Sequence, residues 1–249
     1  MKIKILEVNK DSCMKMKILE NNTGKVYKNM KLYKFRSLGQ NDTDYKRIIG
    51  IIENGFYCNT FLDFNDMNEG LYQHLGRKTP ITVSEKNEYK ICSFSGASAL
   101  DCELMWGHYA NAGKGVVIEV ELNEDNIRKI VPVNYTDNLP DDTKLKDILS
   151  NKSTVWDYED EYRFLSNDVL ENNKVKIGKI TKIYFGTPYK HLNNYKDIKA
   201  NSKSLQQYLE LKEKLKIYCK LKDVECVDYE FKSLNQRYDE ILKRIWATK

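Results

Sequence analysis

The alternation of polar and apolar positions along the chain predicts a series of short strands separated by short helices. Residues 31–37 set Leu32, Lys34 and Arg36 against Tyr33 and Phe35, the period of two expected of a strand. A helix is expected next: Asp42, Thr43 and Asp44 are cap candidates, Tyr45, Ile48, Ile49 and Ile52 recur at helical spacing, and Gly55 is a stop. Strands are predicted at 56–60 and 89–95. Ser98 and Asp101 have the spacing of a capping box for a helix that carries Leu104, Met105, His108 and Tyr109 and ends near Gly113. Residues 115–122 alternate as a strand, Asn123 caps a short helix through Ile130, residues 131–135 extend, and 141–149 have helical spacing. Further strands are expected at 155–165, 177–185, 216–221 and 224–231, with a polar helix at 201–214.

The succession lacks the regular strand-helix-strand repeat of a parallel sheet and predicts an α+β fold with a split, mostly antiparallel central sheet and short helices packed on it. At the start, Lys2–Glu7 and Lys15–Glu20 are near-copies, so residues 1–27 read as an N-terminal extension, a hairpin by their alternation. Residues 28–231 form the main domain. Residues 232–249 form an amphipathic helix through Leu234, Tyr238, Ile241, Leu242 and Ile245.

Composition narrows the class of protein. The chain has 249 residues, of which 41% are hydrophobic and 31% charged, with 4 prolines and 12 glycines, as expected of a folded globular chain. Its apolar runs are a few residues long, well short of the roughly 20 that a membrane helix needs. The opening residues alternate charge with apolar side chains and do not resemble a signal peptide, so the expectation is a cytoplasmic protein with no membrane partner. Six cysteines without a Cys-x-x-Cys, and three scattered histidines, predict reduced thiols and no metal. The net charge of +5 is uneven: residues 1–60 carry +6, 61–200 carry −4 and 201–249 carry +3. A basic excess this modest at either end permits nucleic acid as a partner without pointing to it.

The candidate chemistry concentrates in two segments. If residues 155–165 are one strand, Glu159, Glu161 and Arg163 share a face, with Trp156, Tyr158, Tyr162 and Phe164 on the other. Two carboxylates and a guanidinium on one face suit a small polar substrate, and they equally suit a solvated face with an ion pair. In the second segment, Ser93 and Ser95 precede Trp106 and Tyr109, aromatics able to pack a core or to stack on a planar ring. The glycine-rich nucleotide loops, the zinc-protease pair and the hydrolase elbow have no counterpart in the sequence.

Taken in order, Tyr33-x-Phe-Arg-Ser37, Phe64-Asn-Asp-x-x-Glu69, Cys92-Ser-Phe-Ser95, Met105-Trp-x-His-Tyr-Ala110, Gly115-Val-Val-Ile-Glu119 and Trp156-x-Tyr-Glu-x-Glu-Tyr-Arg163 resemble the bacterial family catalogued as domain of unknown function 2971. The resemblance covers roughly residues 30–230, and Met67 stands where that family usually has a proline. A further resemblance, carried by a basic residue on the first strand, a Ser-x-Ser strand and a late Glu-x-Glu, is to ADP-ribosyltransferases of the Arg-Ser-Glu kind. It implies an ADP-ribosyltransferase-like sheet and NAD as substrate, with no metal. It assigns Glu161 to the ribose, Glu159 to presentation of the acceptor, Ser93 and Ser95 to support of the site and Arg36 to the dinucleotide; Ser37, Trp106, Tyr109 and Arg163 join them as cofactor-binding candidates. The implied activity is an NAD-dependent ADP-ribosyltransferase or NAD glycohydrolase of a toxin or phage-defence type, whose acceptor is nucleic acid, protein or water. The alternatives are a nucleic-acid-binding or nucleic-acid-processing defence protein and a non-catalytic small-molecule-binding domain.

Overall fold

The computed structural model describes residues 30–39, 42–64, 81–138, 143–190 and 192–231. The expected N-terminal hairpin, the expected C-terminal helix, residues 65–69 of the second motif, His74 and His191 lie outside them.

The elements follow one another as β1 (Lys31–Ser37), α1 (Asp42–Asn54), β2 (Phe56–Tyr57), α2 (Val83–Asn87), β3 (Lys90–Ser95), α3 (Glu103–Tyr109), β4 (Gly115–Leu122), α4 (Glu124–Ile127), β5 (Ile130–Pro132), β6 (Asn134–Tyr135), α5 (Leu145–Leu149), β7 (Asn151–Lys152), β8 (Glu161–Ser166), β9 (Lys174–Val175), β10 (Gly178–Phe185), α6 (Tyr195–Asn201), α7 (Lys203–Leu221) and β11 (Glu225–Asp228). The fold is α+β, with mostly antiparallel strands and several short helices. It divides into two compact units. The first takes in Glu53–Gly96 and Val120–Lys179, the second Tyr33–Ile52, Ala97–Glu119 and the chain from Ile180 onward.

In the first unit the strand order is β3-β8-β5. β8 pairs antiparallel with both neighbours, and its register sets Ser93 opposite Arg163 and Ser95 opposite Glu161. Residues opposite one another in an antiparallel pair project to the same face, so the register alone collects these four side chains. The same face continues into an apolar cluster of Phe61, Ile91, Leu149 and Leu165. On the other face Phe94 and Phe164 are buried, and Phe56 meets Phe94 edge-on at 4.8 Å. Pro132 ends β5 at the edge of this group, where its missing N–H costs no ladder bond. Gly55 closes α1 with φ 91 and runs against the Val175 carbonyl, which leaves no room for a Cβ.

In the second unit the order is β11-β10-β4-β1, with β10 and β11 parallel. β4 has six consecutive buried residues, Gly115–Val120, so it is covered on both faces. α7 presents Leu205, Tyr208, Leu211, Leu215 and Cys219 inward at steps of three and four. Tyr208 donates its hydroxyl to the Gly186 carbonyl at 2.7 Å, a bond between this helix and the end of β10.

Three expectations are corrected. Residues 155–165 are not one strand: Thr154–Glu159 is a 3-10 helix, Asp160 turns with φ 44, and only Glu161 onward is β8. Residues 216–221 are the last turns of α7, where Ile217 and Leu221 are exposed outside the buried stripe. Ser98 and Asp101 sit inside a 3-10 helix, Ala97–Asp101, and α3 starts after Cys102 with no side-chain cap.

Candidate functional site

The turn that replaces the expected long strand builds the most charged interior region of the first unit. Asp160 adopts the left-handed conformation that L residues seldom take. Gly96 makes this turn possible, since its N–H donates to the Asp160 carbonyl at 2.7 Å and the Asp160 carboxylate fills the place of a Gly96 side chain. The turn carries Glu159 and Glu161 into the interior from two different elements, a 3-10 helix and a strand. They meet there through a shared cation and not through strand periodicity.

That cation is Lys152, on β7. Its ammonium lies 2.6 Å from Glu159 Oε2 and 3.5 Å from Glu161 Oε2, and 4.7 Å from the centre of the Trp156 ring. Arg163 holds Glu161 in a fork: Nε donates to Oε1 at 2.8 Å and an Nη to Oε2 at 3.1 Å. Its other Nη donates to the Leu149 carbonyl, and its guanidinium sits 5.2 Å over the Phe64 ring. Arg163 is 1% exposed, Glu159 4%, Glu161 5% and Lys152 8%. Four charged side chains are thus withdrawn from water together, which is tolerable only because each carboxylate faces a cation.

Burial alone would push the Glu161 carboxyl up. The Arg163 guanidinium, by charge and by hydrogen bond, then the Lys152 charge and the Ser93 hydroxyl, outweigh it and hold Glu161 down at about 2. Glu161 is therefore ionised at neutral pH. Its backbone N–H is fixed as well, donating to the Tyr135 hydroxyl at 2.7 Å. Burial, reinforced by the nearby Glu161, Glu159 and Asp160 charges, pushes the Tyr135 phenol above its ordinary range, so it remains neutral.

The first unit thus brings together Glu159, Glu161, Arg163, Ser93 and Ser95, with Ser95 buried and Ser93 half-buried. The solvated-face reading of the sequence does not hold, because none of the four charged groups is exposed. Lys152 and Tyr135 are the members that the sequence pattern missed. Neither sits in a periodic relation to Glu161, and both arrive through the parallel β6/β7 pair, Asn134 with Asn151 and Tyr135 with Lys152.

Arg36, Ser37, Trp106 and Tyr109 belong to the second unit. Arg36 and Ser37 are half-buried at the end of β1. Trp106 is 2% exposed; its indole N–H donates to the Leu100 carbonyl at 2.9 Å, Phe35 meets it edge-on at 5.5 Å and Tyr229 stacks on it at 5.3 Å. Of the two uses left open by the sequence, this environment is that of core packing. Tyr109 is half-buried, its ring 6.2 Å from that of His108. The second unit has a buried carboxylate of its own: Glu119, 2% exposed, accepts the Thr181 hydroxyl at 2.7 Å and the Tyr184 hydroxyl at 2.9 Å.

Among the described residues no group of three or more His, Cys, Asp or Glu is arranged to hold a metal ion, and no helix is long and apolar enough to cross a membrane. No protein-family model, curated protein or solved structure matches the chain.

Proposed function

We propose that the chain is an ADP-ribosyltransferase-like enzyme of the unknown-function family it resembles, with NAD as substrate and Glu161 as the carboxylate that stabilises the reacting ribose. The observation that carries this reading is the β3/β8 register, which puts Ser93 and Ser95 on the same face as Glu161, a carboxylate ionised at neutral pH. Breaking the bond between the nicotinamide nitrogen and the ribose carbon sends the electron pair out with nicotinamide and leaves positive charge on the ribose. A fixed anion stabilises that charge more than it stabilises the ground state. An acceptor oxygen or nitrogen, or water, then bonds to the same carbon and releases a proton. In this reading a ribose hydroxyl replaces Lys152 at Glu161, because the 3.5 Å Lys152 contact is the longest of the carboxylate's ion-pair contacts, and the Arg163 fork stays in place.

The test is incubation of the purified full chain with NAD, with and without cell extract, reading nicotinamide release. Release that falls by roughly two orders of magnitude in Glu161→Gln, with a folded protein at the assay temperature, supports the reading. A folded wild type that neither binds NAD nor releases nicotinamide removes it.

One observation favours a second reading, a non-catalytic small-molecule-binding domain. Glu161 receives two Arg163 donors, Lys152 and the Ser93 hydroxyl, enough to occupy the four lone pairs of a carboxylate. On that reading Glu161 pins the unit together, and its replacement changes stability with no NAD turnover to lose.

A further inference from the structure

Tyr135 stands in the charged cluster of the first unit, and the NAD chemistry proposed above gives it no part. The segment that carries it is tied down on every side: Val133 N–H donates to the Glu161 carbonyl at 2.9 Å, Asn134 N–H to the Ser150 carbonyl at 2.8 Å and Thr136 N–H to the Lys152 carbonyl at 3.0 Å. In the parallel β6/β7 pair Tyr135 lies abreast of Lys152, so the two side chains leave on the same side. They reach opposite ends of one residue. The Lys152 ammonium is 3.5 Å from the Glu161 carboxylate, and the Tyr135 oxygen is 2.7 Å from the Glu161 N. A phenol accepts with its lone pairs and has one proton to donate. The Glu161 N–H uses the accepting side. Among the described residues no carbonyl, carboxylate or hydroxyl takes the proton of this half-buried side chain.

We propose that the Tyr135 hydroxyl binds substrate: it donates this proton to the ribose hydroxyl next to the one that Glu161 holds, so that the site reads two neighbouring hydroxyls and takes ribose in preference to a deoxy sugar. The proposal rests on the reading of Glu161 as the ribose carboxylate. The two protein groups suit the two ends of a diol. Glu161 is ionised and can only accept, so it takes the proton of one ribose hydroxyl. Tyr135 stays neutral, so it gives its proton to the oxygen of the next.

The fixed position of the phenol matters as well. Because the Glu161 N–H already holds the Tyr135 oxygen, little further freedom is lost when the ligand arrives. A sugar lacking the second hydroxyl leaves the phenol proton without an acceptor in a half-buried place, which is how a site built to hydrogen-bond a hydroxyl rejects the analogue without it. A Tyr135 that did no more than hold the Glu161 backbone would not distinguish one sugar from another.

The experiment follows nicotinamide release by the purified full chain, wild type and Tyr135→Phe, from NAD and from the two NAD analogues that each lack one hydroxyl of the nicotinamide ribose. Comparing the NAD-to-analogue ratio of kcat/KM between the two proteins cancels the differing reactivity of the sugars themselves. For one analogue the wild-type ratio should exceed that of Tyr135→Phe by about tenfold, and for the other the two proteins should give the same ratio. With NAD itself the variant should show a KM raised about tenfold and a nearly unchanged kcat, since the bond is made in the ground state and in the transition state alike. Equal ratios in the two proteins for both analogues overturn the proposal, leave Tyr135 as a prop for the Glu161 backbone and leave the NAD reading standing. Calorimetry on wild type alone is a second test that needs no variant to fold: both analogues should bind more weakly than NAD, and equal affinity for NAD and either analogue overturns the proposal. A folded wild type that neither binds NAD nor releases nicotinamide overturns the NAD reading and this proposal with it.

Discussion

Two carboxylates, Glu161 in the first unit and Glu119 in the second, are equally buried and held in different ways. Glu161 is gripped by the fork of Arg163 and by Lys152, whereas Thr181 and Tyr184 donate hydroxyls to Glu119. The difference matters because a cation that loses its partner in the interior is left as an uncompensated charge, while a hydroxyl that loses a carboxylate oxygen can turn to another acceptor. The first arrangement is rigid and costly to disturb. The second also touches the chemistry of its donors: burial first, and then the hydrogen bond to Glu119, push the Tyr184 phenol above its ordinary range.

The largest expected effect is on the grip itself. Arg163→Met removes the fork and leaves Lys152 as the one cation of the cluster facing the buried Glu161, so denaturant unfolding should show a loss of about 3–5 kcal/mol. A loss under about 1 kcal/mol would mean that Glu161 is hydrated in solution and that the comparison does not hold.

Glu161→Gln comes next, at roughly 3 kcal/mol, and it carries a pH signature. The folded-state value of about 2 lies below the ordinary 4.5, so the group's stabilisation is fully present above about pH 4.5 and is lost as pH falls through 2. A shift of this size corresponds to about 3 kcal/mol. Stability measured against pH should therefore fall more gently between those values in the variant than in wild type, and parallel acid limbs would contradict the assignment of the shift to Glu161.

Glu119→Gln should cost less, about 1–2 kcal/mol, because an amide oxygen still accepts from a hydroxyl. A cost equal to that of Arg163→Met would erase the distinction between the two sites. The smallest effect is expected from Tyr135→Phe, about 1 kcal/mol, from leaving the Glu161 N–H without its acceptor; it is read most cleanly as faster hydrogen exchange at that amide.

Much of this architecture is legible in the sequence. β1, β3, β4 and β10 were readable from alternation or from short apolar runs, and α1 from its spacing and the Gly55 stop. The misread segments share a cause. In Trp156-Asp-Tyr-Glu159, aromatic and acidic residues alternate and mimic a strand, but the 3-10 helix there has a period near three and the chain turns at Asp160 through a conformation that no side-chain pattern marks. Residues 216–221 contain the β-branched Ile217, a residue type common in strands, while the buried stripe of Leu211, Leu215 and Cys219 continues the helix through them. Glu161, Arg163 and Ser93 were visible as chemistry-bearing residues because they are close in sequence or on an alternating strand. Lys152 and Tyr135 were not, because only the pairing of two-residue strands brings them to the carboxylates.

The central claim, that this cluster serves a reaction of NAD, is tested most directly by nicotinamide release from NAD by the purified chain, in wild type and in Ser93→Ala. That variant leaves the Lys152 and Arg163 ion pairs in place and removes only the neutral donor to Glu161. The account predicts release by wild type and a clear reduction in a Ser93→Ala protein with a near-unchanged melting temperature. Absence of both NAD binding and nicotinamide release in folded wild type would contradict it and leave the cluster as the structural pin of the first unit.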